Sequence, residues 1–230
     1  MIHIHDRDVR GHTQMGWLDS RHTFSFGSFS DPSRMGFRSL RVINDDRVIP
    51  GTGFGTHGHK DMEIITYVMS GSLAHRDSLG TGSLIKPGEI QKMSAGSGIE
   101  HSEFNGSDQD PVHFLQIWIV PDKRGIAPAY EQKIISPDRN CWTVIGNPEG
   151  SDNAIRIQQD VKMMSAYLDA DQKITYAFDP KRYGFLQVAK GQISLNGETL
   201  KQGDGAQISD EIQIDIIAQA ESDLLLFDMA

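Results

Sequence analysis

Short bursts of apolar residues, separated by Gly, Pro, Asp and Asn, run through the whole length of this chain. Within the bursts, apolar positions recur with a period of two, which is the period of a β-strand and not of a helix. The clearest bursts cover 39–44, 62–69, 112–120, 183–189, 212–218 and 222–229. Many short strands joined by turns predict an all-β protein, built as a sandwich or a barrel.

A weak internal repeat favours two domains over one. The segment "VMSGSL" (68–73) resembles "VAKGQI" (188–193), each a strand that runs into a glycine turn. Between the halves, 135–154 is rich in Pro, Gly, Asn, Asp and Ser, which is typical of a junction. We therefore expect an N-terminal domain over 1–135 and a C-terminal domain over 136–230.

Helix is sparse in this sequence. Only "PAYEQK" (128–133) predicts helix, as one or two turns after Pro128. No other segment keeps a period of 3.6 residues. The fold class therefore rests on the strands.

The charge balance and the single cysteine restrict the partners. Acidic residues number 31 against 22 basic ones, and the net charge of -9 has the wrong sign for neutralising nucleic-acid phosphates. Cys141 cannot form an internal disulfide, and no apolar run reaches the roughly 18 residues of a membrane span. We expect a cytoplasmic protein without nucleic-acid or membrane partners.

Two inward-facing histidines are predicted in the first half, which contains all nine histidines of the chain. His57 and His59 stand two apart, so they share one face of a strand. Their neighbours Thr56, Gly58 and Lys60 suit solvent, which turns the imidazoles inward. A metal is the better explanation for such a pair, because neutral imidazole is a ligand for Fe, Zn, Cu and Ni.

A second pair of candidate ligands follows about forty residues later. His101 and Glu103 also stand two apart, and their partners Glu100 and Ser102 are polar, so the same alternation turns His101 and Glu103 inward. Two strands that each offer two inward ligands can close a four-ligand site. Positions then remain for water, substrate or dioxygen.

The remaining histidines are expected to be structural. Alternation places Ile2 and Ile4 in the core, and hence His3 and His5 in solvent. His113 is expected to be a hydrogen-bonded strand residue. Three others have no partner at ligand spacing and are expected at the surface or in local caps: His12, His22 and His75.

Two motifs surround the candidate ligands. The first, G-x5-H-x-H-x3-E, is followed by a glycine after seven residues and comprises Gly51, His57, His59, Glu63 and Gly71. The second, G-x2-H-x3-N, comprises Gly98, His101 and Asn105. Both resemble the motifs of the cupin superfamily. Longer blocks are similar to the pirin family, and to its bacterial quercetin 2,3-dioxygenase-type members in particular: 16–32, 40–46, 53–68 and 93–105.

This resemblance implies a bicupin, in which two jelly-roll β-barrels pack face to face and only the N-terminal one holds a metal. The ligands that it implies are His57, His59, His101 and Glu103. They would hold one divalent transition metal, with Fe(II) expected first and Mn, Ni, Co, Cu or Zn as alternatives. Glu63 stays open as an alternative ligand or as a residue that supports the ligands.

The resemblance also implies a reaction, the cleavage of a flavonol such as quercetin by dioxygen with release of carbon monoxide. The metal would chelate the substrate, Glu103 would act as the base, and Phe54 and Gln116 match positions that line the pirin pocket. A monomer is expected, because one chain already contains two barrels. Two alternatives stay open: an iron-dependent redox-sensing regulator that binds a transcription factor or a metabolic enzyme, and a metal-dependent small-molecule binder or isomerase.

Overall fold

The computed structural model describes residues 1 to 230 and is built almost entirely from strands, which confirms the all-β class. The strands before the junction are β1 (Ile2–His5), β2 (Gly11–Gln14), β3 (Leu18–His22), β4 (Leu40–Val48), β5 (Gly53–His59), β6 (Glu63–Ser70), β7 (Leu73–Asp77), β8 (Gly82–Ile85), β9 (Glu89–Ser94), β10 (Ile99–Asn105), β11 (Val112–Ile119) and β12 (Ala129–Ile134). Those after it are β13 (Thr143–Asn147), β14 (Ile155–Arg156), β15 (Val161–Leu168), β16 (Lys173–Ala177), β17 (Tyr183–Lys190), β18 (Gln192–Leu195), β19 (Glu198–Lys201), β20 (Gly205–Ile208), β21 (Gln213–Ala218) and β22 (Ser222–Met229). The two helices are single 3₁₀ turns, Arg7–Val9 and Pro32–Arg34, and neither is long and apolar enough to cross a membrane.

Each half of the chain forms a seven-stranded and a four-stranded sheet. The N-terminal sheets have the strand orders β12-β9-β6-β11-β4-β3-β2 and β5-β10-β7-β8. The C-terminal sheets have the orders β1-β20-β17-β22-β15-β13-β14 and β16-β21-β18-β19. All six apolar bursts become strands, and the repeated glycines Gly71 and Gly191 occupy equivalent turns with positive φ. The architecture is the predicted bicupin.

The segment 128–133 is a strand, and the short helix expected there is wrong. Residues of β12 pair with β9 along the whole strand, so β12 forms an edge of the seven-stranded sheet. Pro128 lacks an N–H and is tolerated at the start of a helix and next to an edge strand alike. Pairing with the backbone groups of β9 therefore decides the conformation. The local sequence of 128–133 contains no information about this pairing, because β9 is distant in sequence.

The two halves share one apolar core. It contains twenty buried side chains, ten from each half, and β6 contributes Ile65 and Tyr67 to it. The alternate residues Ile64 and Thr66 turn to the interior of the N-terminal barrel, where Thr66 bonds to another interior side chain. The hydroxyl of Tyr67 also donates to the carboxylate of Asp223 across the interface, at 2.9 Å from one oxygen. This packing joins the barrels face to face.

The interiors of the two barrels differ in polarity. The C-terminal interior is filled by a cluster of 17 buried apolar side chains. In the N-terminal sheet, by contrast, buried polar side chains lie next to one another across five neighbouring strands: His22, Asn44, Gln116, Thr66 and Gln91. The N-terminal interior therefore offers a continuous row of the polar groups that a chemical site needs.

The first strand crosses to the other half, because β1 pairs with β20 although the predicted boundary assigns it to the N-terminal domain. His3 is exposed as expected, but the prediction for His5 is wrong, since its side chain is only 1% exposed. The ring of His5 packs edge-on against Phe24 and Phe185, with centroid distances of 5.5 and 5.8 Å. Alternation predicts which residues of a strand lie on the same face. It does not predict that β1 ends between the two barrels, where His5 is buried.

Burial makes the stability contribution of His5 depend on pH. Removal from water, with Arg34 as the next cause, lowers the pKa of His5 to about 4, and neither ring nitrogen has a hydrogen-bond partner. Because the unfolded chain then binds more protons, folding stability is fully present above the unfolded pKa near 6.5 and is lost as the pH falls towards 4.

Between pH 6.5 and pH 4, we expect the free energy of unfolding to fall by about 1–3 kcal/mol less in His5→Phe than in wild type. The phenyl ring keeps the aromatic packing but cannot take up a proton. The measurement is the free energy of unfolding by denaturant at several pH values, relative to wild type. His3→Phe, at an exposed position of the same strand, should follow the wild-type profile. Equal pH profiles for His5→Phe and wild type would contradict the account.

Candidate metal centre

Three histidines converge where β5 pairs with β10. In this antiparallel register His57 lies opposite His101, and Phe54 lies opposite Glu103. The ring centroids of His57, His59 and His101 are 4.4 to 4.9 Å apart, and one ligand atom from each lies within 4.8 Å of the others. Glu103 belongs to an overlapping group that shares His101. Strand alternation and cross-strand register together produce this cluster.

The imidazole of His57 is oriented as a metal ligand requires. Nδ1 of His57 lies 2.8 Å from the carbonyl oxygen of Gly55. A carbonyl only accepts hydrogen bonds, so Nδ1 carries the proton and Nε2 keeps its lone pair. This free Nε2 lies 3.1 Å from Nε2 of His101. Metal-binding histidines are commonly oriented by such a bond from their other ring nitrogen.

The environment keeps the imidazoles of His59 and His101 neutral at pH 7. Burial, with a further contribution from His57, lowers the pKa of His59 to about 4. Burial and the neighbouring imidazoles lower the pKa of His101 to about 2. Neutral imidazoles have the lone pairs that a metal needs, whereas protonated ones would repel it.

Glu103 is held in place by a short chain of hydrogen bonds. Nε2 of Gln116 lies 3.0 Å from both carboxylate oxygens of Glu103, and Oε1 of Gln116 accepts from the hydroxyl of Thr66 at 3.1 Å. Burial raises the pKa of Glu103 to about 7, although the bond from Gln116 works in the opposite direction. Glu103 can therefore exchange a proton near neutral pH while its position stays fixed.

A cavity of about 640 Å³ opens beside these residues, within the usual range for small-ligand sites. Phe54 and Gln116, the two expected substrate contacts, both line it, together with His57, His59 and Glu103. The other lining residues are Thr13, Met15, Trp17, Leu18, Ser20, His22, Phe26, Gly27, Ser28, Asn44, Asp46, Gly55 and Trp118. Whether Phe54 and Gln116 touch a substrate stays a prediction.

Glu63 lies away from the histidines, against the expectation that it serves as an alternative or supporting ligand. The connection between β5 and β6 contains Asp61 with φ 51°, so the alternation that orients His59 does not continue to Glu63. One carboxylate oxygen of Glu63 accepts from the backbone N–H of Gln158 at 3.2 Å and lies 3.8 Å from Nζ of Lys92. Glu63 is a contact between the barrels.

His75 is a buried neighbour of the site, although the sequence predicts it at the surface or in a local cap. Its Nε2 lies 3.0 Å from the carboxylate of Asp77, and its ligand atom lies within 4.8 Å of those of His101 and Glu103. In the pairing of β7 with β10, His75 is opposite Glu103 and Asp77 is opposite His101. The spacing of two along β7 becomes informative only once this pairing is known.

The donor set fits a divalent transition metal. Three imidazoles suit Fe, Zn, Cu and Ni, and a carboxylate adds an oxygen ligand. Both groups of clustered potential ligands in the structure occur at this one place, and His101 belongs to both. The apolar interior of the C-terminal barrel offers no equivalent.

Comparisons with known proteins agree with this fold. The family model described as "Pirin" matches residues 4–119, and the model described as "Quercetinase C-terminal cupin domain" matches residues 144–229. The chain therefore belongs to the pirin family of cupin proteins. The matched ranges lie on either side of residue 135, the predicted boundary.

Individual relatives cover the whole chain. A protein named quercetin 2,3-dioxygenase from Escherichia coli (strain K12) is 44% identical over 229 residues, covering 100% of this chain and 99% of the relative. The crystal structure of YhhW from Escherichia coli superposes with a TM-score of 0.97 at 43% identity, over 100% of this chain and 98% of that one. A structure of bacterial pirin YhhW in complex with nickel(II) gives a TM-score of 0.95 at 43% identity, over 100% and 99%. These relatives support a divalent metal here.

We expect Gln116→Leu to lower the affinity for a divalent metal by about 10–100-fold, the usual range for residues that orient a ligand. The change leaves both oxygens of buried Glu103 without the donor that holds them. The measurement is competition with a chromogenic chelator. Gln187→Leu, which removes a buried glutamine from the C-terminal half, should leave the affinity unchanged. Wild-type affinity in Gln116→Leu would show that Gln116 does not position a ligand.

Proposed function

We propose that this protein is an Fe(II)-dependent dioxygenase that cleaves a flavonol such as quercetin at the N-terminal barrel. The observation that carries this proposal is the cavity itself. Three histidines and a buried glutamate lie beside an aromatic wall in which Trp17 and Phe54 pack edge to face at 5.0 Å. A flat aromatic substrate with a chelating oxygen pair suits such a cavity.

In this proposal His57, His59, His101 and Glu103 hold the metal. When bound, the divalent metal supplies Lewis-acid polarisation of the substrate oxygens and redox exchange with dioxygen. The names of the relatives support this reaction class, since several are called quercetin 2,3-dioxygenase. Nickel binding by YhhW supports a divalent ion.

Glu103 accepts the proton of the substrate hydroxyl that lies next to the carbonyl. Without a metal on its carboxylate, Glu103 has a pKa of about 7, which would suit a base at neutral pH when the carboxylate is not bound to the metal, and Gln116 keeps the carboxylate oriented during the transfer. The aromatic side chains of Trp17 and Phe54 orient the flat rings and exclude water. Both oxygen atoms of dioxygen enter the product, and one carbon of the flavonol leaves as carbon monoxide.

The monomeric state is part of the same proposal. Face-to-face packing of two barrels within one chain already buries an apolar surface on each of them. The cavity is lined by residues of the N-terminal half alone. A second chain is not required to complete the site.

We expect the anaerobically purified, Fe(II)-loaded protein to consume quercetin and dioxygen and to release carbon monoxide. His57→Ala should abolish metal binding and turnover, and Glu103→Gln should lower kcat by about 10²–10⁴-fold, because it removes the base. Quercetin absorbance, oxygen uptake and carbon monoxide are measured together. His113→Gln is the matched control, because His113 bonds to Asp45 at 2.7 Å and does not line the cavity.

The competing functions give different results in the same assay. One metal per chain without turnover would contradict the dioxygenase and favour the iron-dependent regulator. Turnover that persists in His57→Ala would contradict the site.

A further inference from the structure

One carboxyl group in the cavity has no part in the proposed metal site. Asp46 lies on β4, and its side chain lines the cavity although the residue is only 3% exposed. Its Oδ1 is buried and has no hydrogen-bond partner. Unpaired buried carboxylate oxygens are costly, so each one in a native structure needs an explanation.

The polar side chains around Asp46 are occupied with one another. His22 lies between Thr13 Oγ1, at 2.9 Å from its Nε2, and Asn44 Oδ1, at 2.8 Å from its Nδ1. Ser20, the direct cross-strand neighbour of Asp46, has its hydroxyl 3.4 Å from Nδ1 of the same histidine. Within this polar wall of the cavity, Oδ1 of Asp46 has no hydrogen-bond partner, and a turn of the carboxyl group about its Cβ–Cγ bond would bring an oxygen atom to a ligand.

A structural role does not account for Asp46. Burial raises its pKa to about 7, partly opposed by a hydrogen bond with Ser20 and reinforced by the charges of Asp45 and Glu103, and no ion pair offsets that burial. The neighbouring residue Asp45 shows the contrast: it points to the other face of β4 and pairs with Arg10, Arg47 and His113. An apolar residue at position 46 would avoid the cost of burying an acid, and sites that break such rules are usually functional.

We propose that Asp46 binds a hydroxyl group of the substrate and thereby selects polyhydroxylated aromatic ligands over those that carry only the chelating oxygen pair. This inference rests on the proposed function, because it assumes that a flavonol-like molecule occupies the cavity. Asp46 is on the seven-stranded sheet, whereas His57 and His59 are on the four-stranded one. The ligand is therefore anchored by polar groups from both sheets, with Phe54 and Trp17 lining the space that it shares with them.

The test compares two ligands that differ in their hydroxyl groups. Quercetin has five hydroxyls, and 3-hydroxyflavone has only the one next to the carbonyl. Binding is measured by quenching of tryptophan fluorescence in zinc-loaded protein without oxygen, so that no turnover takes place. We expect wild type to bind quercetin at least about tenfold more tightly than 3-hydroxyflavone, the effect of one hydrogen bond to a charged group.

Substitutions at position 46 should remove this preference selectively. Asp46→Leu has nearly the same outline without oxygen atoms, and Asp46→Ala removes the group altogether. Each should weaken quercetin binding about tenfold and leave 3-hydroxyflavone binding unchanged. Because both variants relieve the burial of an acid, loss of folding is not expected. Asp45→Asn, on the same strand but the opposite face, should keep the wild-type preference.

The outcomes separate this inference from the proposed function. Equal binding of both ligands by wild type, a preference that persists in the Asp46 variants, or an equal loss for both ligands would overturn the role of Asp46 and leave the flavonol site standing. Failure of wild type to bind either ligand would overturn the proposed function, and the substrate subsite with it.

Discussion

The antiparallel pairing of β5 with β10 is the contact on which the site depends. It places His57 opposite His101 and orients both rings to the barrel interior. The close approach of the two strands requires Gly53, because a Cβ at this position would lie 2.2 Å from the backbone oxygen of Glu103. A side chain there would push β5 away from Glu103 and open the ligand cluster. The ligand side chains can therefore converge only because the backbones of β5 and β10 approach closely.

The C-terminal barrel mainly contributes stability, whereas the N-terminal barrel contains the candidate site. The C-terminal interior is filled with apolar side chains, and the shared core adds ten residues from each half. The N-terminal interior contains Glu103, Asp46 and a row of buried amides and hydroxyls, which are costly to remove from water. Apolar burial in the partner barrel and at the interface offsets this cost. A chain with a single barrel of this polarity would have a smaller reserve of stability.

Much of this arrangement can be predicted from local patterns, and the exceptions have a common cause. Alternation along single strands predicts the strands, the inward direction of His57 and His101, and the solvent direction of His3. It fails for His5, for the strand at 128–133 and for Glu63, because these depend on partners far away in sequence. His75 and Asp46 could not be recognised for the same reason, since their importance comes from β10 and β3 next to them.

The central claim is that one metal is held in the N-terminal barrel by three histidines and a glutamate. The most direct test is anomalous diffraction from crystals of the metal-loaded protein. The account predicts one peak per chain, at about 2.0–2.2 Å from a nitrogen of His57, His59 and His101 and from an oxygen of Glu103. A peak bound by His75 without His57 and His59, a peak in the C-terminal barrel, or no peak in the loaded crystals would contradict it.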